Sequence, residues 1–161
     1  MGRTLLKSGY TTTLIVIMTV EIVAQKPPEK LPQFNFYGFE SEDVTDTWFR
    51  NDRPLIIFYF DPTCSHCEVQ AQWVTEELGA LAGIDLLWIA WEENEALAEF
   101  KVKYFPSVEN VYFGQDLDAK FDGIFGFSEI PTVFVYNAQN QLLKKFNNET
   151  KPRRLLKELN R

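Results

Sequence analysis

The stretch FYFDPTCSHCEVQ, Phe58 to Gln70, holds both cysteines of the chain, Cys64 and Cys67, together with its one histidine, His66. It completes PLIIFYF, Pro54 to Phe60, a continuous apolar run of strand length rich in β-branched and aromatic residues. Such a run reads as a strand buried on both faces, as in a sheet covered by helices. Asp61-Pro62-Thr63 then breaks the strand and offers a cap for a new helix. Along that helix Cys67, Gln70 or Ala71, Val74, Leu78 and Leu81 fall at helical spacing, with Gly79 and Gly83 marking the far end. The strand, the turn and the helix together place the reactive side chains at a helix start.

Three chemistries want thiols and an imidazole so close together: a structural staple, a metal site or a redox dithiol. A disulfide that closes two intervening residues stabilises little, because the gain grows with loop length. Zinc asks for four ligands, and this chain offers one cysteine pair, with His66 adjoining Cys67 and badly placed to complete the same tetrahedron. No metal ligand is therefore assigned, although copper(I), which tolerates two thiolates, stays open as an alternative. A redox dithiol fits the placement better. Unpaired N–H groups and the helix dipole favour an anion at a helix start. Cys64 would be the exposed nucleophile, and Cys67, one turn deeper on the same side, would resolve a mixed disulfide from within. His66 would add positive charge or donate a hydrogen bond to the Cys64 sulfur, which lowers a thiol pKa from its free value of about 8.5. Its alternative reading is a solvated loop residue.

Outward from the motif, strands and helices alternate. IDLLWIAW (84–91) is a second buried strand, and ENEALAEFKVKYF (93–105) is a helix with Leu97, Phe100 and Tyr104 on one face, stopped by Pro106. VENVYFG (108–114) is a shorter strand, and DLDAKFDGIFG (116–126) a short helix. IPTVFVY (130–136) and LLKKFNN (142–148) flank a NAQNQ turn as a hairpin, and KPRRLLKELN closes the chain as a helix with proline near its first turn. Upstream, Ser41 to Asp52 reads as a short capped helix. Asn148-Glu149-Thr150 has the form of a glycosylation triplet and carries no further reading. The pattern implies an α/β sandwich around a mostly parallel sheet with an antiparallel pair at its end.

At 161 residues the chain is one ordinary domain, and its 45% apolar and 24% charged content is that of a globular protein. A formal charge of −7 argues against a nucleic-acid partner, which needs a basic face. Residues 1–24 read as a signal peptide. Arg3 and Lys7 precede the apolar LIVIMTV (14–20), and Ala24 offers a small residue for cleavage. A membrane anchor is the alternative, although the run falls far short of the roughly 20 residues a spanning helix needs. Residues 25–35 form a proline-rich linker, leaving 36–161 as the folded domain.

The buried strand ending FYFDPTCSHC, its helix and the later Ile130-Pro131-Thr132 resemble the thioredoxin superfamily over residues 36–161. That resemblance implies a three-layer sandwich with a mixed sheet. It also implies a cis Pro131 whose loop, with Ile130, lies beside the dithiol and binds extended substrate backbone. The helix–strand unit added between Glu93 and Gly114 is similar to the TlpA-like branch, exported thiol-disulfide oxidoreductases of bacterial envelopes, so the periplasm or cell envelope is the expected location. The expected partners are protein thiols or disulfides and a separate redox partner. A monomer is expected, and no cofactor, since the dithiol is itself the redox centre. A non-enzymatic copper-handling or binding protein on the same fold is the alternative.

Two features depart from the family pattern. Phe58 stands where thioredoxin has a buried acid that moves protons for the inner cysteine. Asp61 or Glu129 would have to substitute, each being otherwise a cap or a surface charge. Ser65-His66 resembles the X-His pairs of oxidases and isomerases, whereas Ile130 matches reductases, so the direction of electron flow stays open. Peroxiredoxins share the fold, but Pro62, Thr63 and Cys67 miss their P-x-x-x-T-x-x-C spacing. Trp88 and Trp91 are either groove residues or core.

Overall fold

The computed structural model describes residues 26–39, 42–91, 94–126 and 128–161. The expected leader lies outside them, as do Ser41 and Glu93, where the sequence places helix starts. The apolar run Pro54–Phe60 forms β3 (Leu55–Phe60), buried along its whole length. β3 hydrogen-bonds β4 (Asp85–Ala90) in parallel on one side and β6 (Thr132–Tyr136) antiparallel on the other. Beyond β4 lies β5 (Val111–Gln115), again parallel, and beyond β6 lies its hairpin partner β7 (Leu142–Phe146).

Two strands went unread in the sequence. β1 (Asn35–Gly38) pairs antiparallel with β5, and β2 (Val44–Thr45) pairs antiparallel with β1, giving a seven-stranded sheet of order β2-β1-β5-β4-β3-β6-β7. The expectation of a mostly parallel sheet with one antiparallel end is thereby corrected. Only the central β5-β4-β3 unit is parallel, and antiparallel strands flank it on both sides. The helix expected between Ser41 and Asp52 shrinks to a 3-10 turn at Asp46–Phe49, because Val44 is taken up by pairing with Phe36. Asp46 anchors that turn, accepting hydrogen bonds from the Phe34 N–H at 3.3 Å and from Arg50 Nε at 2.7 Å. Part of the proline-rich segment is also seated on the sheet. Leu31 N–H donates to the Asn140 carbonyl and Leu142 N–H to the Glu29 carbonyl, both at 2.8 Å.

The helices cover both faces. Along β3, Ile56, Phe58 and Phe60 point into one core and Leu55, Ile57 and Tyr59 into the other, the period of two that a pleated strand imposes. The first core is closed by α1 (Ser65–Glu76), α2 (Asn94–Tyr104) and α4 (Pro152–Leu159), which contribute Cys67, Ala71, Val74, Leu97, Phe100 and Leu155. The second is closed by α3 (Phe121–Phe125) and the strand-like amino-terminal segment, through Phe34, Phe36, Phe121 and Phe125. Aromatic stacking accounts for the many phenylalanines. Phe58 lies parallel to Trp88 at 4.2 Å in the first core, and Tyr59 lies parallel to Phe121 at 3.9 Å in the second.

This layout decides where a site can form. The three parallel strands end at one edge of the sheet, and β6, running the other way, begins there beside the end of β3, with Thr132 opposite Tyr59. Crevices outside the carboxyl ends of parallel strands are where such folds bind their ligands.

Trp88 offers a test of the core. It is fully buried, ringed by Phe58, Phe60, Phe100 and Phe105, and its indole N–H has no hydrogen-bond partner. Trp88→Ala should cost about 3–5 kcal/mol in urea unfolding. Trp88→Phe should cost less than half of that, because it also removes an unpaired buried donor. Equal losses for the two variants would contradict this packing.

Candidate active site

Where β3 ends, Asp61 turns the chain. Its Oδ1 accepts hydrogen bonds from both the N–H and the hydroxyl of Thr63, each at 2.7 Å, and its carbonyl accepts the Cys64 N–H at 3.2 Å. Pro62 is buried beneath the turn. Side chains such as Asp favour this geometry because their oxygen mimics a backbone acceptor two residues back. Cys64 then occupies the N-cap of α1 in an extended conformation, and its carbonyl receives the first helical hydrogen bond, from Glu68 N–H at 3.0 Å. The side chain of Cys64 makes no capping bond. Its sulfur sits half-buried at the helix start, where the terminal N–H groups favour negative charge.

Cys67, one turn on, is fully buried in the first core, against which Cys64 packs. Burial pushes its thiol far above the ordinary range. A hydrogen bond with the Asp61 backbone opposes the shift, and the neighbouring Cys64 and the Asp61 charge reinforce it. The pair is therefore unequal by depth: an accessible outer sulfur and a protonated inner one.

The Ile130–Pro131 bond is cis, and Thr132, which opens β6, ties the turn by donating its hydroxyl to the Glu129 carbonyl at 2.6 Å. Ile130 is half-buried and packs against the same core as Cys64. The sequence-predicted residues Cys64, Cys67, Ile130 and Pro131 thus gather at one edge of the sheet.

His66 is turned to a partner that the sequence did not reveal. Its Nδ1 lies 3.3 Å from Glu149 Oε1, in the turn between β7 and α4. That turn is fastened to α1 by Gln70. The buried Gln70 amide accepts from the Thr150 N–H at 2.6 Å and donates to the Thr150 carbonyl at 3.0 Å. A glutamine at a core position was the available signal, since a buried amide needs partners. Nothing local announced Glu149.

Of the two substitute acids, Asp61 serves as the acceptor that shapes the turn, while its charge still reaches the Cys67 thiol. Glu129 is exposed, and its carbonyl rather than its carboxylate is the group engaged by Thr132. Trp88 is core, whereas Trp91 is about half exposed at the end of β4, edge-on to Tyr59. A further buried carboxylate, Asp116, caps α3 by accepting the Lys120 and Phe121 N–H groups. Among the described residues no group of three or more His, Cys, Asp or Glu side chains is arranged to hold a metal ion.

No protein-family model and no curated protein sequence matches this chain. Solved structures do. A secreted Mycobacterium tuberculosis disulfide oxidoreductase homologous to E. coli DsbE superposes with a TM-score of 0.66 at 18% identity, over 80% of this chain and 95% of that one. The chain has a thioredoxin-like fold. A thiol:disulfide interchange protein of the thioredoxin family from Chlorobium tepidum TLS gives 0.62 at 19% identity, covering 84% and 99%. The peroxidoxin BcpB of Mycobacterium tuberculosis gives 0.68 at 14%, covering 84% and 96%. At such identities the likeness carries the fold alone, and proteins named for two different activities share it. The chemistry has to be argued from the site.

The depth difference between the sulfurs predicts how they react. With Cys67→Ser, the remaining Cys64 should be alkylated by iodoacetamide near neutral pH. With Cys64→Ser, Cys67 should stay unlabelled until the pH is well above the usual thiol value of about 8.5, because its raised pKa keeps it protonated there. Similar pH profiles for the two variants would contradict the assignment.

Proposed function

We propose that this protein is an exported thiol-disulfide oxidoreductase that exchanges disulfides with protein substrates through Cys64 and Cys67. The observation that carries the reading is the arrangement of one half-buried sulfur at a helix start, one turn from a fully buried sulfur on the same helix. Single-displacement chemistry needs only the first; a closed two-electron cycle needs both.

In the reducing direction the Cys64 thiolate attacks one sulfur of a client disulfide. The Cys64–client bond forms, and the other client sulfur leaves as a thiolate. Cys67 then attacks the Cys64 sulfur, closing the Cys64–Cys67 disulfide. The client thiolate departs and takes up the proton that Cys67 gives away. The client has gained two electrons, and the dithiol has lost two. The oxidising direction is the same sequence reversed. No cofactor enters, and a separate redox partner must restore the dithiol or the disulfide. Burial of Cys67 keeps it a thiol until the mixed disulfide forms, which protects it from side reactions, and its fixed place on one helix face speeds the second step. The turn at Ile130 and Pro131, at the same sheet edge, is the surface against which client backbone would lie.

A peroxidase of the same fold is less well supported. The Thr63 hydroxyl is committed to Asp61 at 2.7 Å and is thereby drawn into the turn. Export is favoured by the leader-like residues 1–24.

The test is to trap the intermediate. Cys67→Ser should accumulate mixed disulfides with client proteins on non-reducing gels of envelope extracts, because a serine hydroxyl cannot displace the client. Cys64→Ser should trap none. Trapping by Cys64→Ser alone would reverse the polarity. Absence of any adduct, with stoichiometric copper(I) binding by the wild type, would replace this reading by the copper-handling alternative.

A further inference from the structure

A histidine between the two cysteines would ordinarily make the disulfide a stronger oxidant, since its positive charge stabilises the reduced thiolate. In this chain the imidazole is already spoken for. His66 Nδ1 faces Glu149 Oε1 at 3.3 Å, and although His66 is two-thirds exposed, Glu149 is only 28% exposed. The placement of Glu149 is not that of a wandering surface acid. Its neighbour Thr150 is held through both its backbone N–H and its C=O by the fully buried Gln70 side chain, and the Thr150 hydroxyl closes the turn onto the Asn148 carbonyl at 3.0 Å. His66 and Gln70 stand four residues apart, so both lie on one face of α1, and the 148–150 turn docks on that face. The next cation in the chain, Lys151, is directed over the Trp73 ring at 5.1 Å. The Glu149 carboxylate thus contacts His66.

We propose that Glu149 is a positioning residue that engages His66 and offsets its charge, so that the dithiol is a weaker oxidant than its Ser-His pair alone would make it. The inference rests on the exchange reading above and supplies what the motif left open, a bias of electron flow toward reduction of clients. Removing the carboxylate takes away the negative charge beside the imidazole, so that His66, when protonated, acts on the Cys64 thiolate unopposed and favours the reduced protein.

The experiment equilibrates the full chain with glutathione, in which one Cys64–Cys67 disulfide and two glutathione thiols give one dithiol and one glutathione disulfide. Wild type, Glu149→Gln, His66→Ala and the double variant are compared. Glu149→Gln should move the equilibrium toward the dithiol by roughly threefold, about 14 mV at 30 mV per tenfold for a two-electron couple. In the His66→Ala background the same substitution should have an effect below about 1.5-fold, since the carboxylate acts through the imidazole it contacts. Glu149→Asp should restore part of the wild-type value. An unchanged or less oxidising Glu149→Gln, or an equal shift with and without His66, would overturn the proposal. A wild type that forms no intramolecular disulfide would defeat the exchange reading and this inference with it. A measurable wild-type equilibrium with a flat Glu149→Gln would defeat this inference alone.

Discussion

The hydrogen bonds that Asp61 accepts from Thr63 are small in number, and the rest of the site depends on them. They end a strand that is buried on both faces and start a helix within three residues, leaving Cys64 at the helix N-cap. A looser connection would let the helix begin anywhere, and the terminal N–H groups would no longer meet a sulfur. The strand cannot shift to compensate. β3 is paired on both edges, and a slip of one residue would turn Phe58 and Phe60 out of the first core and Ile57 and Tyr59 out of the second. The position of the outer sulfur is therefore set by packing far from it.

The same core imposes the inequality of the two thiols. Cys67 is one of the side chains that fill the space between α1 and the sheet, so its ionisation is opposed by the packing that stabilises the fold. Phe58 sharpens this. Stacked on Trp88 at 4.2 Å, it adds apolar contact to the core in which the Cys67 thiol is buried. Asp61 is left as the carboxylate whose charge reaches Cys67, in a role that is at once structural and electrostatic.

What the sequence made legible follows from range. The buried strand and turn of residues 54–64 are encoded by adjacent residues and formed as read, as did the hairpin and the proline-led last helix. The helix read as far as Leu81 instead stops at Glu76 and leaves Leu78–Leu81 as a separate 3-10 turn. β1 and β2 were missed because four and two residues hold no usable period. The seating of Glu29 and Leu31 on the hairpin was missed because a proline-rich segment gives no pattern, only backbone groups that find partners. The Gln70–Thr150 and His66–Glu149 pairs join residues about 80 positions apart, and spacing carries no information at that distance. Gln70 alone gave a hint, as a polar residue on an apolar face.

The central claim is that Cys64 and Cys67 form a working redox couple. It is tested most directly by following reduction of a disulfide-bonded protein by dithiothreitol, with catalytic amounts of wild type, Cys64→Ser or Cys67→Ser. The account predicts a clear acceleration by the wild type, none by Cys64→Ser, and a much smaller one by Cys67→Ser, whose mixed disulfide has to wait for dithiothreitol to break it. Acceleration that survives the loss of Cys64, or a wild type no faster than dithiothreitol alone, would contradict it.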